Sequence, residues 1–164
     1  MKIIKAILLV ALVGLVGACA TKFRTYNGPE VTRILVYKER HRMYLMHDDK
    51  VLKRYHIELG FAPTGDKQVE RDGKTPEGEY FIDRRNPNSA FYLSIGISYP
   101  NAVDRAEAKA LGQSPGGDIF IHGARRPGDP KGADWTAGCI SVSNRQMEDI
   151  YAMVKNGTRI SIYP

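Results

Sequence analysis

The sequence predicts a mainly β fold with two short helices, a sandwich or barrel rather than alternating βαβ units. Three observations carry this. Short runs rich in Ile, Val, Tyr and Phe recur along the chain, Gly, Pro, Asn and Asp punctuate them, and only two segments have helical character.

Taken in order, "TRILVYKE" (32–39) and "RMYLMHD" (42–48) are separated by a few charged residues and read as a hairpin, which "KVLKRYHIELG" (50–60) continues. A long polar loop, "APTGDKQVERDGKTPEG" (62–78), follows. Its "TPEG" end places Pro and Gly in turn positions. Then come "EYFIDRR", "AFYLSIGIS", "GDIFIHG", "CISVS" and "TRISIYP", giving about eight strands at mostly meander spacing. The first helix is expected over 101–112, rich in Ala and charge and closed by Gly112. The second is expected after Ser143, which with Gln146 forms a capping box. Met147, Ile150, Tyr151 and Val154 follow at helical spacing, and Asn156 with Gly157 closes it.

The N-terminus is of a different kind. "MKIIKAILLVALVGLVGA" has a basic start, an apolar run too short for the roughly 20 residues of a bilayer span, and a small-residue exit, so residues 1–18 read as an export leader. The exit "VGAC" is similar to the lipobox of bacterial lipoproteins, in which the cysteine, here Cys19, carries lipid. An ordinary cleavage site and an uncleaved anchor are the competing readings. Ala20 in place of an acid favours, by the same analogy, an anchor on the periplasmic face of the outer membrane. Residues 19–30 are then a lipidated cysteine and a polar tether broken by Gly28 and Pro29, leaving 31–164 as one domain.

Charge narrows the partners. Dropping Lys2 and Lys5 with the leader takes the 24 basic residues to 22 against 18 acidic, a net of +4. That suits an anionic substrate or envelope surface, and the lack of basic runs interleaved with aromatics argues against nucleic acid.

The chain has two cysteines. With Cys19 acylated, Cys139 has no disulfide partner in an oxidising compartment, so it is either buried and inert or a nucleophile. His122 lies 17 positions upstream. Each ends or begins a short β-like run, and the loop between them is rich in Gly, Pro and basic residues, as befits a loop over a site. A free thiol is only a few per cent thiolate at neutral pH, and a neighbouring imidazole supplies the missing base. The amides of Gly138 and Cys139 are candidate oxyanion donors. On pattern alone, a structural pair is an equal reading.

"IFIHG" followed by "DWTAGCISVSN", with the upstream "DGKTPEGEYFI" and "SIGISYPN", resembles the L,D-transpeptidase catalytic domain (YkuD) family over residues 31–163. The resemblance implies a mixed β-sandwich in which Cys139 attacks a peptide carbonyl of a peptidoglycan stem, releasing D-alanine and leaving a thioester. It makes His122 the base, the Gly123 carbonyl the group that orients it, and Thr136 the Ser/Thr of the motif. It implies no cofactor and no metal. The acceptor is a second stem peptide for a transpeptidase, or water for an L,D-carboxypeptidase or amidase. A wall-binding lipoprotein without catalysis is the rival from another class, kept open by two departures. Many members carry His at the position of Ala137 and Arg at that of Ser141.

Arg125, Arg126, Arg105 and Arg145 are candidates to replace that missing arginine against a substrate carboxylate. Tyr92, Tyr99 and Trp135 are candidates for a peptide groove. His41, His47 and His56 with Asp48 or Asp49 match no metal spacing and are expected to be structural or at the surface. The dyad further predicts a thiol pKa depressed by His122.

Overall fold

The computed structural model describes residues 21–164. The expected leader and Cys19 lie outside them.

Eight strands form one curled, mixed sheet in the order β3-β2-β1-β8-β4-β5-β6-β7. The hairpin is as read: β1 (Arg33–Tyr37) pairs antiparallel with β2 (Arg42–His47), and β2 with β3 (Lys50–His56). β4 (Gly78–Asn86) bridges the two halves, lying between β8 (Arg159–Tyr163) and β5 (Ser94–Ile97). β6 (Phe120–His122) and the two-residue β7 (Ile140–Ser141) end the order.

Three pairings depart from a meander, because β8 inserts between β1 and β4, antiparallel to β4, and β7 does not run antiparallel to β6. β8 returns to lie parallel to β1, with Ile160 opposite Ile34, and β7 lies parallel to β6. A parallel neighbour needs a crossover. The crossover into β7 is the loop 123–139; the one that reaches β8 passes through most of the chain.

The chain beyond β3 closes the curl. Glu58 and Ser141 exchange both backbone bonds, at 2.9 and 2.8 Å, and the Phe61 amide donates to the Thr136 carbonyl at 2.9 Å. Residues 57–61 are therefore stitched beside β7, and the long loop 62–78 hangs next to it. Alternating residues fill the inside of the curl: Ile34 and Val36, Met43 and Leu45, Tyr80 and Ile82, Ile95 and Ile97, Ile160 and Ile162. Ile121 and Ile140 join them, which fixes the face that β6 and β7 turn away from the core.

Among the described residues the helices are α1 (Ala102–Ala110) and α2 (Asn144–Met153). Asn101 and Asp104 build a capping box on α1. It ends in a Schellman arrangement, with the Gln113 amide on the Ala108 carbonyl, the Gly112 amide on that of Lys109, and Gly112 at φ +68°. Ser143 and Gln146 cap α2 as expected, and Met147 and Ile150 are buried.

α2 stops earlier than its pattern. Val154 is extended at φ −94°, ψ 133°, and fully buried. Its β-branched side chain enters the core once the backbone leaves the helix, and the Arg85 guanidinium binds the Tyr151 and Val154 carbonyls that the helix leaves open. Asn156 and Gly157 make the turn into β8 instead.

Candidate active site

β6 ends on His122, and Cys139 immediately precedes β7. The parallel register sets Ile121 beside Ile140 and His122 beside Ser141. With both isoleucines in the core, His122 and Ser141 face outward under the loop 123–135. His122 and Cys139 line one cavity of about 260 Å³ whose apolar walls include Phe91 and Phe120.

His122 is 3% exposed. Its Nδ1 donates to the Gly123 carbonyl at 2.8 Å, which leaves Nε2 as the basic nitrogen. Phe91 stacks on the imidazole at 4.4 Å between centroids, and Trp135 meets it edge-on at 5.7 Å. Burial holds its pKa below the usual histidine value, although the bond to Gly123 pulls the other way.

The turn before the thiol is folded around Thr136. Its hydroxyl donates to the Cys139 carbonyl at 2.7 Å and accepts from the Gly138 amide at 3.2 Å. The Gly138 amide, one of the two expected oxyanion donors, is thus engaged within the turn, and the Cys139 amide is the remaining candidate. Gly138 sits at φ +129°, where a Cβ would stand 2.6 Å from the Lys74 carbonyl oxygen, so only glycine fits.

Cys139 donates to the Asp118 carbonyl at 3.5 Å. Burial pushes its pKa above the ordinary thiol value, opposed in part by the Phe120 amide. The expected depressed thiol is therefore corrected. Burial against apolar walls disfavours the thiolate and the imidazolium alike, so the resting pair is a neutral thiol and a neutral base on one cavity.

The polar loop supports this turn. The Asp72 carboxylate accepts from the amides of Gln68, Val69 and Lys74 and from the ammonium of Lys67, itself 3% exposed. Gly73 and Lys74 are thereby fixed against Gly60 and Gly138, and the Thr75 hydroxyl accepts from the Gly60 amide at 3.2 Å.

Of the four arginines, two are near the site. Arg125 lies over Trp135 and bridges to Glu58 at 3.2 Å, while Arg126 lies over Phe91 at 4.3 Å and pairs with Asp129. Arg105 binds the Pro100 carbonyl on α1, and Arg145 is an exposed residue of α2. Tyr99 is a core residue rather than a groove wall. It is 5% exposed, packed on Tyr80 and bonded to the Pro115 carbonyl, two residues beyond the end of β5 and on the same inward side as Ile95 and Ile97. Tyr92 bonds Glu148 at 2.6 Å. His41 pairs with Asp134, His56 with Arg42, and His47 with the Glu30 carbonyl.

Phe91, Phe120 and Asp118 were not singled out from the sequence. "AFYLSIGIS" reads as one strand, but Tyr92 has φ +76° and β5 begins only at Ser94, which frees Phe91 to fold over His122.

The model of the L,D-transpeptidase catalytic domain family matches residues 31–162. YafK of Escherichia coli, which is named as an L,D-transpeptidase, is 30% identical over 125 residues, covering 70% of this chain and 45% of that protein. YkuD of Bacillus licheniformis, also named an L,D-transpeptidase, is 28% identical over 80% of this chain and 66% of its own length. Among solved structures, the helical cell shape determining protein Pgp2 from Campylobacter jejuni superposes with a TM-score of 0.63 at 28% identity, covering 84% of this chain and 49% of that one. Bd1075 of Bdellovibrio bacteriovorus gives 0.57 at 25%, over 82% and 48%. The chain spans about half the length of YafK and of these two solved structures.

Proposed function

Because the chain belongs to the family of L,D-transpeptidase catalytic domains, we propose that it is a cysteine acyltransferase acting on peptidoglycan stem peptides. The observation that carries the reading is a thiol and a histidine on one cavity, with the histidine's Nδ1 committed to a backbone carbonyl. That arrangement provides a nucleophile and a base of fixed tautomer.

Nε2 of His122 takes the thiol proton as Sγ of Cys139 attacks the carbonyl carbon of the stem peptide. The Cys139 amide donates to the developing oxyanion. Collapse breaks the C–N bond, the proton on Nε2 passes to the leaving amine, D-alanine departs, and a thioester remains. An incoming amine then forms the new C–N bond, loses its proton to Nε2, and expels the sulfur, which regains a proton.

The site's neutral resting state suits this order, since a proton transferred only during attack avoids a charged pair in an apolar cavity. Phe91 and Trp135 hold the imidazole plane and limit water around it. The same proposal places the enzyme in the periplasm, anchored to the outer membrane through lipid on Cys19. Its support is the "VGAC" exit and the polar tether in the sequence.

The purified chain incubated with disaccharide tetrapeptides and analysed by mass spectrometry tests the reading. D-alanine release with cross-linked dimers, absent from Cys139→Ser, is expected. Release without dimers would make water the acceptor and the enzyme a carboxypeptidase. Equal products from Cys139→Ser would remove the nucleophile from the account.

A further inference from the structure

The loop that joins β4 to β5 covers His122 by means of one strained residue. The Leu93 amide donates to the Phe91 carbonyl at 3.0 Å, and Tyr92 between them has φ +76°. That is the rarer and strained form of a γ-turn. It swings Phe91 out of line with β5 and onto the imidazole, 4.4 Å between centroids, beside Trp135 at 5.6 Å. A residue with a side chain keeps such a backbone only where its surroundings over-determine it.

Those surroundings come from the other end of the chain. The Lys22 ammonium donates to the Tyr92 carbonyl at 3.3 Å and to the Pro87 carbonyl, spanning the loop from its first residue to its turn. The Tyr92 hydroxyl donates to one oxygen of Glu148 at 2.6 Å, and Arg24 holds the other at 2.6 Å. A second arm of the same guanidinium reaches Asp149 at 2.6 Å, and Phe23 meets Tyr151 at 6.1 Å between centroids. Tyr26 then packs on the core. Glu148, Asp149 and Tyr151 are all on α2, which begins at Asn144 just beyond the thiol. Residues 22–26 therefore tie the helix that follows Cys139 to the loop that covers His122.

We propose that this strap is a positioning device for catalysis: Lys22 directly, and Arg24 through Glu148 and the Tyr92 hydroxyl, hold the turn at Tyr92 and so keep Phe91 stacked on His122. The proposal rests on the acyltransferase reading for its effect on rate, but not for its effect on the imidazole. Phe91 is one of the groups that bury His122 to 3% exposure, and that burial holds the imidazole pKa below its usual value. Slackening the strap lets the turn relax, water replaces Phe91 beside the ring, and the imidazolium gains stability. The base is then lost to protonation at a higher pH. The charged and titratable groups that face the imidazole lie elsewhere. Asp129 and Arg126 on the loop 123–139 act on it with opposite signs, and Asp118 and Cys139 share its cavity. None of them belongs to the strap.

The test uses the full chain with Tyr92→Phe, Glu148→Gln and Lys22→Gln, each alone and each combined with Phe91→Ala. One readout is the titration midpoint of His122 from its imidazole proton resonances, assigned against His122→Ala. The other is the rate of D-alanine release from disaccharide tetrapeptides at pH 6 and pH 8. In each strap variant the midpoint should rise toward the ordinary histidine value, and the ratio of the pH 6 rate to the pH 8 rate should fall about threefold. Phe91→Ala should do the same, and a strap substitution added to it should move neither readout further, because the groups act through one another.

Tyr92→Phe changes no charge, and Glu148→Gln removes a negative one, whose direct effect on the midpoint is downward. A rise in both is therefore not a field effect. A general loss of folded enzyme lowers both rates together and leaves their ratio alone. An unchanged midpoint and ratio in Tyr92→Phe and Glu148→Gln would overturn the proposal, and so would shifts of full size that persist in the Phe91→Ala background. A wild type that releases no D-alanine would remove the acyltransferase reading, while the midpoints would still decide whether the strap holds Phe91.

Discussion

At Gly138 the backbone is held at φ +129° with the Lys74 carbonyl oxygen 2.6 Å from where a Cβ would stand. Gly138→Ala therefore combines backbone strain with a steric clash. It should cost about 1–3 kcal/mol in thermal unfolding and abolish acylation, because the turn carrying the thiol must move; a variant with wild-type stability and activity would refute this. The pair beside it gives a prediction with a sign. Burial lowers the pKa of His122, so its neutral, basic form persists as the pH falls below the ordinary histidine value of about 6.5. The acid limb in a pH profile of kcat/KM for D-alanine release should lie under that value, and a limb at or above it would contradict the geometry. Both residues were legible in the sequence because each borders a β-like run within a recognisable motif. The direction of the thiol's pKa was not, since it depends on how deeply the fold buries the sulfur. Phe91 was hidden too, for only the positive φ at Tyr92 takes it out of its apparent strand.

The elements that position these residues are short, and their ends matter more than their interiors. α2 begins directly after the chain has passed the thiol, with the Ser143 hydroxyl accepting from the Gln146 amide at 3.3 Å and the Gln146 side chain returning to the Ser143 amide at 2.9 Å. Ser143→Ala should cost about 1 kcal/mol in urea unfolding; no change would mean that packing alone starts the helix. At the other end Arg85 caps the Tyr151 and Val154 carbonyls and lies over the Tyr151 ring at 3.9 Å. That capping was invisible in sequence, because Arg85 is on β4 and 66 residues from Tyr151. Strands and both helices could be read from alternation and caps. The pairing of β8 with β1 and of β7 with β6 could not, since nothing local to those segments encodes a partner so far along the chain.

Across the whole molecule, the sheet's curl brings residues 57–61 against β7 and sets the loop 62–78 beneath the thiol turn. Two buried lysines hold that loop: Lys38 on Glu77 at 2.8 Å and Lys67 on Asp72 at 2.9 Å. In Asp72 burial opposes the charge, yet the Lys67 ammonium and three backbone amides together keep its carboxyl below the usual range. Lys67→Met leaves that buried carboxylate without its cation and should cost about 3 kcal/mol near neutral pH. A depressed carboxyl pKa contributes stability that is complete above its unfolded value and is lost as pH falls through the folded one. The gap between wild type and variant should therefore narrow in unfolding curves below about pH 4, and a gap that is constant with pH would exclude the ion pair as its source. The loop's length and turn residues were plain in the sequence, whereas its role as the bed of the nucleophile became visible only in the curled sheet.

All of these scales serve one covalent event. Its most direct test is intact-protein mass spectrometry of the chain mixed rapidly with disaccharide tetrapeptide, with the adduct mapped by peptide sequencing. The account predicts an added mass equal to the donor less D-alanine, located on Cys139, absent from Cys139→Ser and strongly reduced in His122→Ala. D-alanine release with no adduct on Cys139, or with an adduct elsewhere, would contradict it.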